Sequence, residues 1–302
     1  MKLHQPMKKS NIILLLFILL LNACITKEQN STHSLKETAK ENLYLGQDPP
    51  GLIAEEFAPN IVTTEYMEFF GSFTPDLKEF YFKRKGGNYK NSTLVVFQNI
   101  NNKWIESEVV PQEASVGEPS VSPDGNIIYL DHRYIERTKS GWSEVKSLGS
   151  PFNDMGIMRL TASSHGTYVF DEREEIGTLR YSRLINGKHE VPKVFGTDIN
   201  SGKWTAHPFI APDESYLIWD SERVGGFGET DLYISFRQEN DTWGPAINMG
   251  AGINTKHNET FGSVTPDGKY LFFHTYLGKG KANIFWVDAK VIENLRAHQI
   301  IN

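Results

Sequence analysis

The feature that most constrains this chain is a phrase written repeatedly along it. FTPDLKEFYF begins at Phe73, VSPDGNIIYL at Val121, IAPDESYLIW at Ile210 and VTPDGKYLFF at Val264, with a weaker copy, ASSHGTYVF, at Ala162. Each copy is a short apolar strand, a Pro-Asp-Gly-type turn and a second apolar strand. Pro presets φ at the second turn position, Asp caps the turn through its side chain, and Gly accepts positive φ at its end. In the third copy Ser164-His165 replaces Pro-Asp. Taking Asp76, Asp124, His165, Asp213 and Asp267 as register marks, the intervals are 48, 41, 48 and 54 residues. A strand-built repeat of roughly 40–50 residues is the signature of propeller blades.

The rest of each copy follows the same grammar. A third strand recurs as STLVVFQ, TLRYSRL, DLYISFR and ANIFWV, and a fourth as NKWIESEVVP, SGWSEVKSLG, GKHEVPKVFG and DTWGPAINMG. Trp104, Trp142 and Trp243 hold equivalent places in the fourth, with His189 in the odd copy. Such a row could form a ligand platform; packing between blades is the simpler role, because aromatic rings bury so much area. The fifth copy lacks a fourth strand, and KVIENLRAHQ reads as a short terminal helix. The segment GLIAEEFAPNIVTTE reads as an orphan fourth strand placed before the first turn. A sheet ring must remove its open edges, so Leu52 to Phe57 is expected to complete the last blade. The expectation is an all-β, five-bladed propeller closed by an N-terminal strand; six blades would need a motif the chain does not contain.

Copies such as HPFIAPDESYLIWDSERVGGFGETDLYISFRQENDTWGPAINMG resemble the TolB-like, WD-repeat-like β-propellers of bacterial envelopes over about residues 43–295. The resemblance implies a periplasmic binding or scaffolding role. More distantly it touches propeller lyases acting on uronate-containing sugars.

The N-terminal 23 residues read as a lipoprotein signal. Lys2, Lys8 and Lys9 precede a ten-residue apolar run from Ile12 to Leu21, followed by Asn22-Ala23-Cys24. That order matches a secretory signal, and the run is short of the ~20 residues that span a bilayer; an uncleaved anchor is the other reading. Leu21-Asn22-Ala23-Cys24 resembles the bacterial lipobox, which implies an acyl chain such as palmitate on Cys24. Cys24 is the single cysteine, so no internal disulfide exists. A lipid there would tether the protein without spanning the membrane, on the periplasmic or surface side of the outer membrane. Residues 24–42 are polar and aperiodic, a flexible tether, and residues 43–302 form the propeller domain. Losing the three leader lysines takes the formal charge from −6 to −9, which argues against a nucleic-acid partner.

Functional side chains should gather where inner strands approach the ring axis. Six residues before the register marks stand Phe70, Glu118, Arg159, His207 and Phe261, with Glu68 and Glu259 two residues earlier in the end copies. After the second strands come Lys83-Arg84, Asp131-His132-Arg133, Asp171-Glu172-Arg173, Asp220-Ser221-Glu222-Arg223 and His274. Glu68, Glu118, His132, Arg133, Arg159, Arg173, His207 and Glu259 are therefore candidates for a polar funnel. The recurring Asp–Arg spacing also suggests a blade-to-blade ladder through Arg133, Arg173 and Arg223. A uronate lyase would need a base and cations, which His132, His207 and the arginines could supply. A glycosidase would need two carboxyl groups, for which Glu68, Glu118 and Glu259 are available. No nucleophile elbow, H-E-x-x-H, Cys/His metal spacing or phosphate-cradling loop is present. The reading is thus a noncatalytic binding module for a protein or glycan, without metal or cofactor, with a polysaccharide-active enzyme as the alternative.

Overall fold

The computed structural model describes residues 42–173 and 177–301. The chain divides into two units, Met1–Gly46 and Gln47–Asn302. Within the first, Leu43–Gly46 forms a 3-10 turn; Cys24, the leader and most of the tether lie outside the described residues. In the described residues no helix is long and apolar enough to cross a membrane.

The second unit opens with β1 (Glu55–Glu56). Antiparallel four-strand sets then follow. The first comprises β2 (Met67–Phe73), β3 (Glu79–Gly86), β4 (Tyr89–Ile100) and β5 (Lys103–Glu108). The second comprises β6 (Ser120–Val121), β7 (Ile127–Tyr129) and β8 (Arg133–Thr138), edged by β9 (Gly141–Trp142) and β10 (Lys146–Ser147). The third comprises β11 (Ile157–Ala162), β12 (Tyr168–Glu172) and β13 (Thr178–Ser182); a side hairpin of β14 (Leu184–Ile185) and β15 (Lys188–His189) precedes its outer strand, β16 (Lys193–Val194). The fourth comprises β17 (Trp204–Ile210), β18 (Tyr216–Glu222), β19 (Asp231–Phe236) and β20 (Ile247–Asn248). The last has β21 (Asn258–Val264), β22 (Tyr270–Gly278) and β23 (Lys281–Asp288), followed by helix α1 (Lys290–Ile301).

The orphan strand goes where its pattern predicts. β1 pairs antiparallel with β23, Glu55 opposite Trp286 and Glu56 opposite Phe285. Phe57 donates its N–H to Ile284 O at 2.9 Å. Its ring is fully buried among Phe73, Phe80, Phe272 and Trp286, at centroid distances of 4.7–6.1 Å. The two ends of the unit are thereby joined through one aromatic core.

Innermost strands contact one another in a closed cycle, β2–β6–β11–β17–β21 and back to β2. Apolar clusters fill the spaces between neighbouring sheets. Tyr81 and Leu94 of the first set meet Ile128 and Ile135 of the second, and Val169 and Leu179 of the third meet Leu217 and Trp219 of the fourth. Two of the row's tryptophans belong to this packing, while Trp104 sits edge-on to Phe73 of its own set. Trp142 donates to Tyr81 OH of the preceding set at 3.2 Å, and Trp243 packs edge-on to Phe195 of its preceding set. The same arginine support recurs, with Arg137 over Trp142 and Arg237 over Trp243. His189, in the odd copy, stacks on Tyr168 at 3.8 Å.

The turn signature closes on a hydroxyl in three copies, while the fourth has Ala211 in that place and Asp213 Oδ1 accepts from Ser215 N, at 3.0 Å. Thr74 Oγ1 donates to Asp76 Oδ1, Ser122 Oγ to Asp124 Oδ1 and Thr265 Oγ1 to Asp267 Oδ1, at 2.6–2.8 Å. Each hydroxyl also accepts the N–H that opens the next strand, from Glu79, Ile127 and Tyr270. In the third copy, where Asp is replaced by His165, Ser163 Oγ donates instead to Glu214 Oε1 of the following set, at 2.7 Å.

Candidate functional site: a bulged layer across the ring axis

Four innermost strands break register at the same place. The pairing slips between Phe69 and Ser72, Ile157 and Leu160, Ala206 and Phe209, and Thr260 and Ser263. Such β-bulges re-aim a side chain, and each encloses two residues, among them Phe70, Arg159, His207 and Phe261. Phe70, His207 and Phe261 hold φ of 63°, 50° and 62°. Positive φ at non-glycine residues costs on the order of 1–3 kcal/mol each and persists only where surrounding structure enforces it.

Carboxylates from the second strands supply that enforcement. Asp171 Oδ2 accepts the His207 N–H at 2.8 Å, and Asp220 Oδ2 accepts the Phe261 N–H at 3.3 Å, so each pins the bulge of the next sheet. Asp171 Oδ1 also accepts from Met158 N and Arg159 N within its own sheet. Both aspartates are fully buried. This corrects the expected Asp–Arg ladder: Asp171 and Asp220 bind backbone and His207, and Arg223 donates to Ser221 and to the carbonyls of Asp198 and Ile199. Only Arg133 pairs with its aspartate, Asp131, and it does so within one sheet, at 2.9 and 2.5 Å.

The bulged side chains meet in one layer. Phe70 and Phe261 lie 4.1 Å apart, the Phe261 ring stacks on His207 at 3.9 Å, and the Arg159 guanidinium sits 4.7 Å over Phe261. His207 Nδ1 lies 2.8 Å from Asp220 Oδ2, and its Nε2 lies 3.6 Å from Glu118 Oε2. Glu118 bridges Arg159 through its backbone. Behind this layer, His274 Nε2 is 2.8 Å from Thr260 Oγ1.

Charge in this layer is poorly hydrated and partly unmatched. Burial pushes the Glu118 carboxyl up to about 7, with Asp171 and Asp220 adding to the rise against the cations of His207 and Arg159. For His207 burial acts the other way, but the Asp220 and Glu118 carboxylates outweigh it and hold the imidazole protonated up to about 9. Burial brings Arg159 down to about 10 and drives His274 well below the usual imidazole range, leaving it neutral. Glu118 Oε2, Asp220 Oδ1, Arg159 Nε and Nη1 and His274 Nδ1 have no hydrogen-bond partner among the described residues.

Glu118, Asp171 and His207 place potential metal-ligand atoms within 4.8 Å of one another. The Asp171 oxygens, however, already accept three backbone N–H bonds, His207 is charged, and the Arg159 cation adjoins. The trio is an ion-pair network, and its donor set suits a divalent cation badly.

A cavity lies at each end of the axis. Where the inner strands begin, an upper cup of about 630 Å³ is lined by Phe69, Phe70, Lys83, Lys85, Glu118, Asp131, His132, Arg173 and Tyr276, among others. Where they end in the Pro-Asp turns, a lower cup of about 300 Å³ is lined by hydroxyl, proline and apolar side chains and by Arg159.

Of the residues expected in a funnel, Glu118, His132 and Arg173 share the upper cup, His207 contacts Glu118 from the septum, and Arg159 faces the lower cup. Arg133 is engaged with Asp131. Glu68 and Glu259 are fully buried and clasp the loops before their strands. Glu68 accepts from Thr64 N and Oγ1, and Glu259 from Thr255 N and Oγ1. The Thr-x-x-x-Glu spacing in both copies was a readable signal for this clasp. Lys83, named beside Arg84 after its second strand, lines the cup together with Lys85, which had not been singled out; Lys83 Nζ donates to Gly117 O at 3.0 Å, and burial lowers its pKa.

No family model matches the chain, and no curated protein matches it. Among solved structures, the catalytic domain of the Coprinopsis cinerea GH62 α-L-arabinofuranosidase aligns with 79% of this chain and 97% of its own length, at 8% identity and a TM-score of 0.52. A GH62 hydrolase in complex with xylotriose aligns over 82% and 99%, at 9% identity and a TM-score of 0.51. The fold is a β-propeller. TolB from Acinetobacter baumannii aligns with 72% of the chain at 15% identity and a TM-score of 0.45, and this chain spans 54% of that protein's length. At these identities the likeness describes fold alone.

Proposed function

We propose that this protein is a five-bladed binding propeller, lipid-anchored through Cys24 in the bacterial cell envelope, that holds an acidic glycan or acidic protein segment in its upper cup. The observation carrying this reading is the cup's charge. Lys83, Lys85 and Arg173 line it against Glu118 and Asp131, in a chain whose formal charge is −6. A cationic concavity in an acidic protein concentrates anionic ligands and orients them. Phe69, Phe70 and Tyr276 add apolar surface on which a sugar ring or aliphatic stem can lie. The buried layer beneath supplies a rigid floor, as a binding site needs.

A catalytic alternative has one observation in its favour: Glu118, with its raised pKa, opens on the same cup as His132. Against a glycosidase stands the lack of a second free carboxylate from the expected trio, since Glu68 and Glu259 are locked in loop clasps. His207 suits a lyase base poorly, since Asp220 and Glu118 flank its two ring nitrogens and favour its protonated form.

The test is binding of the full chain to polygalacturonate, with uncharged dextran as control, across a salt series. Lys85→Glu with Arg173→Glu should weaken polygalacturonate binding by tenfold or more, on the order of 1–2 kcal/mol. Equal binding by the reversed-charge protein would sink the reading, and release of unsaturated uronate would replace it with the enzymatic one. For the anchor, Cys24→Ser should move the protein from the membrane to the soluble fraction.

A further inference from the structure

The lower cup, at the opposite end of the axis from the proposed ligand site, is lined by Arg159, which has more buried side-chain polar atoms without a hydrogen-bond partner than any other of the described residues. Arg159 is 3% exposed, and its Nε and Nη1 hydrogen-bond to nothing among the described residues. A buried guanidinium is normally paired with a carboxylate in direct hydrogen bonds; leaving charged donors without partners is costly. The acids around it do not supply those bonds. Asp171 spends its oxygens on backbone N–H groups, Asp220 holds His207 and Phe261, and Glu118 reaches towards His207 from the upper side.

The cup itself is a shaped enclosure. Its volume of about 300 Å³ sits at the small end of ligand sites. Val121, Phe209 and Val264 give it apolar walls, and Ser72 and Ser120 contribute hydroxyls near its base. The prolines of the turn motifs form its rim. One cation at the base of a mostly apolar chamber matches one anionic head on an apolar body. Inorganic phosphate fits worse: no second cation lines this cup, and Glu118, Asp171 and Asp220, all close enough to act on Arg159, oppose a dianion more strongly than a monoanion.

We infer that the lower cup binds a small organic monocarboxylate, its carboxylate accepting hydrogen bonds from Arg159 and its apolar body lying against Val121, Phe209 and Val264. This site is separate from the acidic-polymer site, and neither depends on the other.

The experiment titrates the full chain with benzoate, and in parallel with benzamide and inorganic phosphate, by calorimetry and by protein NMR. Benzoate should bind in the millimolar range or tighter, at least about tenfold more tightly than benzamide, since the charge-assisted bonds are lost in the neutral analogue. Arg159→Met should lose benzoate binding by a similar factor. Should Arg159→Met not fold, Val264→Phe, which fills the chamber and leaves Arg159 in place, should abolish binding while the unfolding midpoint shows an intact fold. Absence of benzoate binding, equal affinity for benzamide, phosphate binding more tightly than benzoate, or unchanged affinity in a folded Arg159→Met or Val264→Phe protein would each overturn the assignment.

Discussion

His207 Nδ1 rests 2.8 Å from Asp220 Oδ2, and both side chains are almost wholly removed from water. The pair ties a positive-φ bulge to the second strand of its own sheet, while the same Asp220 oxygen pins the next bulge at Phe261. Replacing His207 by Ala would leave Asp220 buried without its cation. The expected loss is about 3–5 kcal/mol in urea unfolding. Adding Asp220→Asn to that variant should recover part of the loss, and a double-mutant cycle measures the coupling.

Stability should fall as pH rises across neutrality. Glu118 and His207 both bind their protons more tightly folded than unfolded, at about 7 and about 9. Groups with raised folded pKa values stabilise fully below their unfolded values and lose that contribution as pH climbs through the folded ones. The share of the unfolding free energy due to these two groups should therefore decline between about pH 5 and about pH 9, first through Glu118 and then through His207. Buried His274 and half-buried His189, whose pKa values are lowered, oppose it up to the ordinary imidazole range and leave the net fall above neutrality. Glu118→Gln should flatten the first part of the slope; an unchanged slope in that variant contradicts the assignment.

Gly262 directly follows the Phe261 bulge, and a Cβ there would come 2.6 Å from Ile218 Cγ2. The contact is with a fully buried side chain that has little room to yield. Gly262→Ala should cost about 1–3 kcal/mol through overpacking, read as a lowered denaturation midpoint. Gly268→Ala, in open space though at φ of 73°, should lose only what its turn backbone demands.

Phe57→Ala should cost about 3–5 kcal/mol, because the ring fills the junction between the first and last sheets. Hydrogen exchange offers a second measure. Protection should drop first at Phe57 N–H and along β23, whose edge β1 covers.

Much of the architecture was readable because the turn chemistry is local. In three copies a Thr or Ser hydroxyl, an Asp two residues on and the N–H three residues beyond close one turn without outside help, and the shared Pro-Asp spacing marks the fourth. The closing strand was readable for a complementary reason: one copy lacked its fourth strand and one strand lacked a copy. The axial layer was half legible. Register counting picked out Phe70, Glu118, Arg159, His207 and Phe261, which the bulges bring together. Counting alone did not show that Glu68 is locked away while Glu118 opens on the cup, because that depends on a loop that folds Thr64 back onto Glu68. Nor could it tell that Asp171 and Asp220 bind backbone across sheets, since that depends on how closely neighbouring inner strands approach. Lys85 and Tyr276 came into the upper cup through the lengths of β3 and β22, which turn signals do not fix.

The pairing of β1 with β23 also sets an order of events. Glu55 and Glu56 leave any exporting or synthesising machinery more than two hundred residues ahead of their partners, Trp286 and Phe285. Until that final hairpin arrives, the leading segment has nowhere to dock and the trailing sheet has a bare flank. Ring closure is thus a check on completeness, and a polypeptide cut short before β23 would be left unsealed, visible to proteases and holdase chaperones.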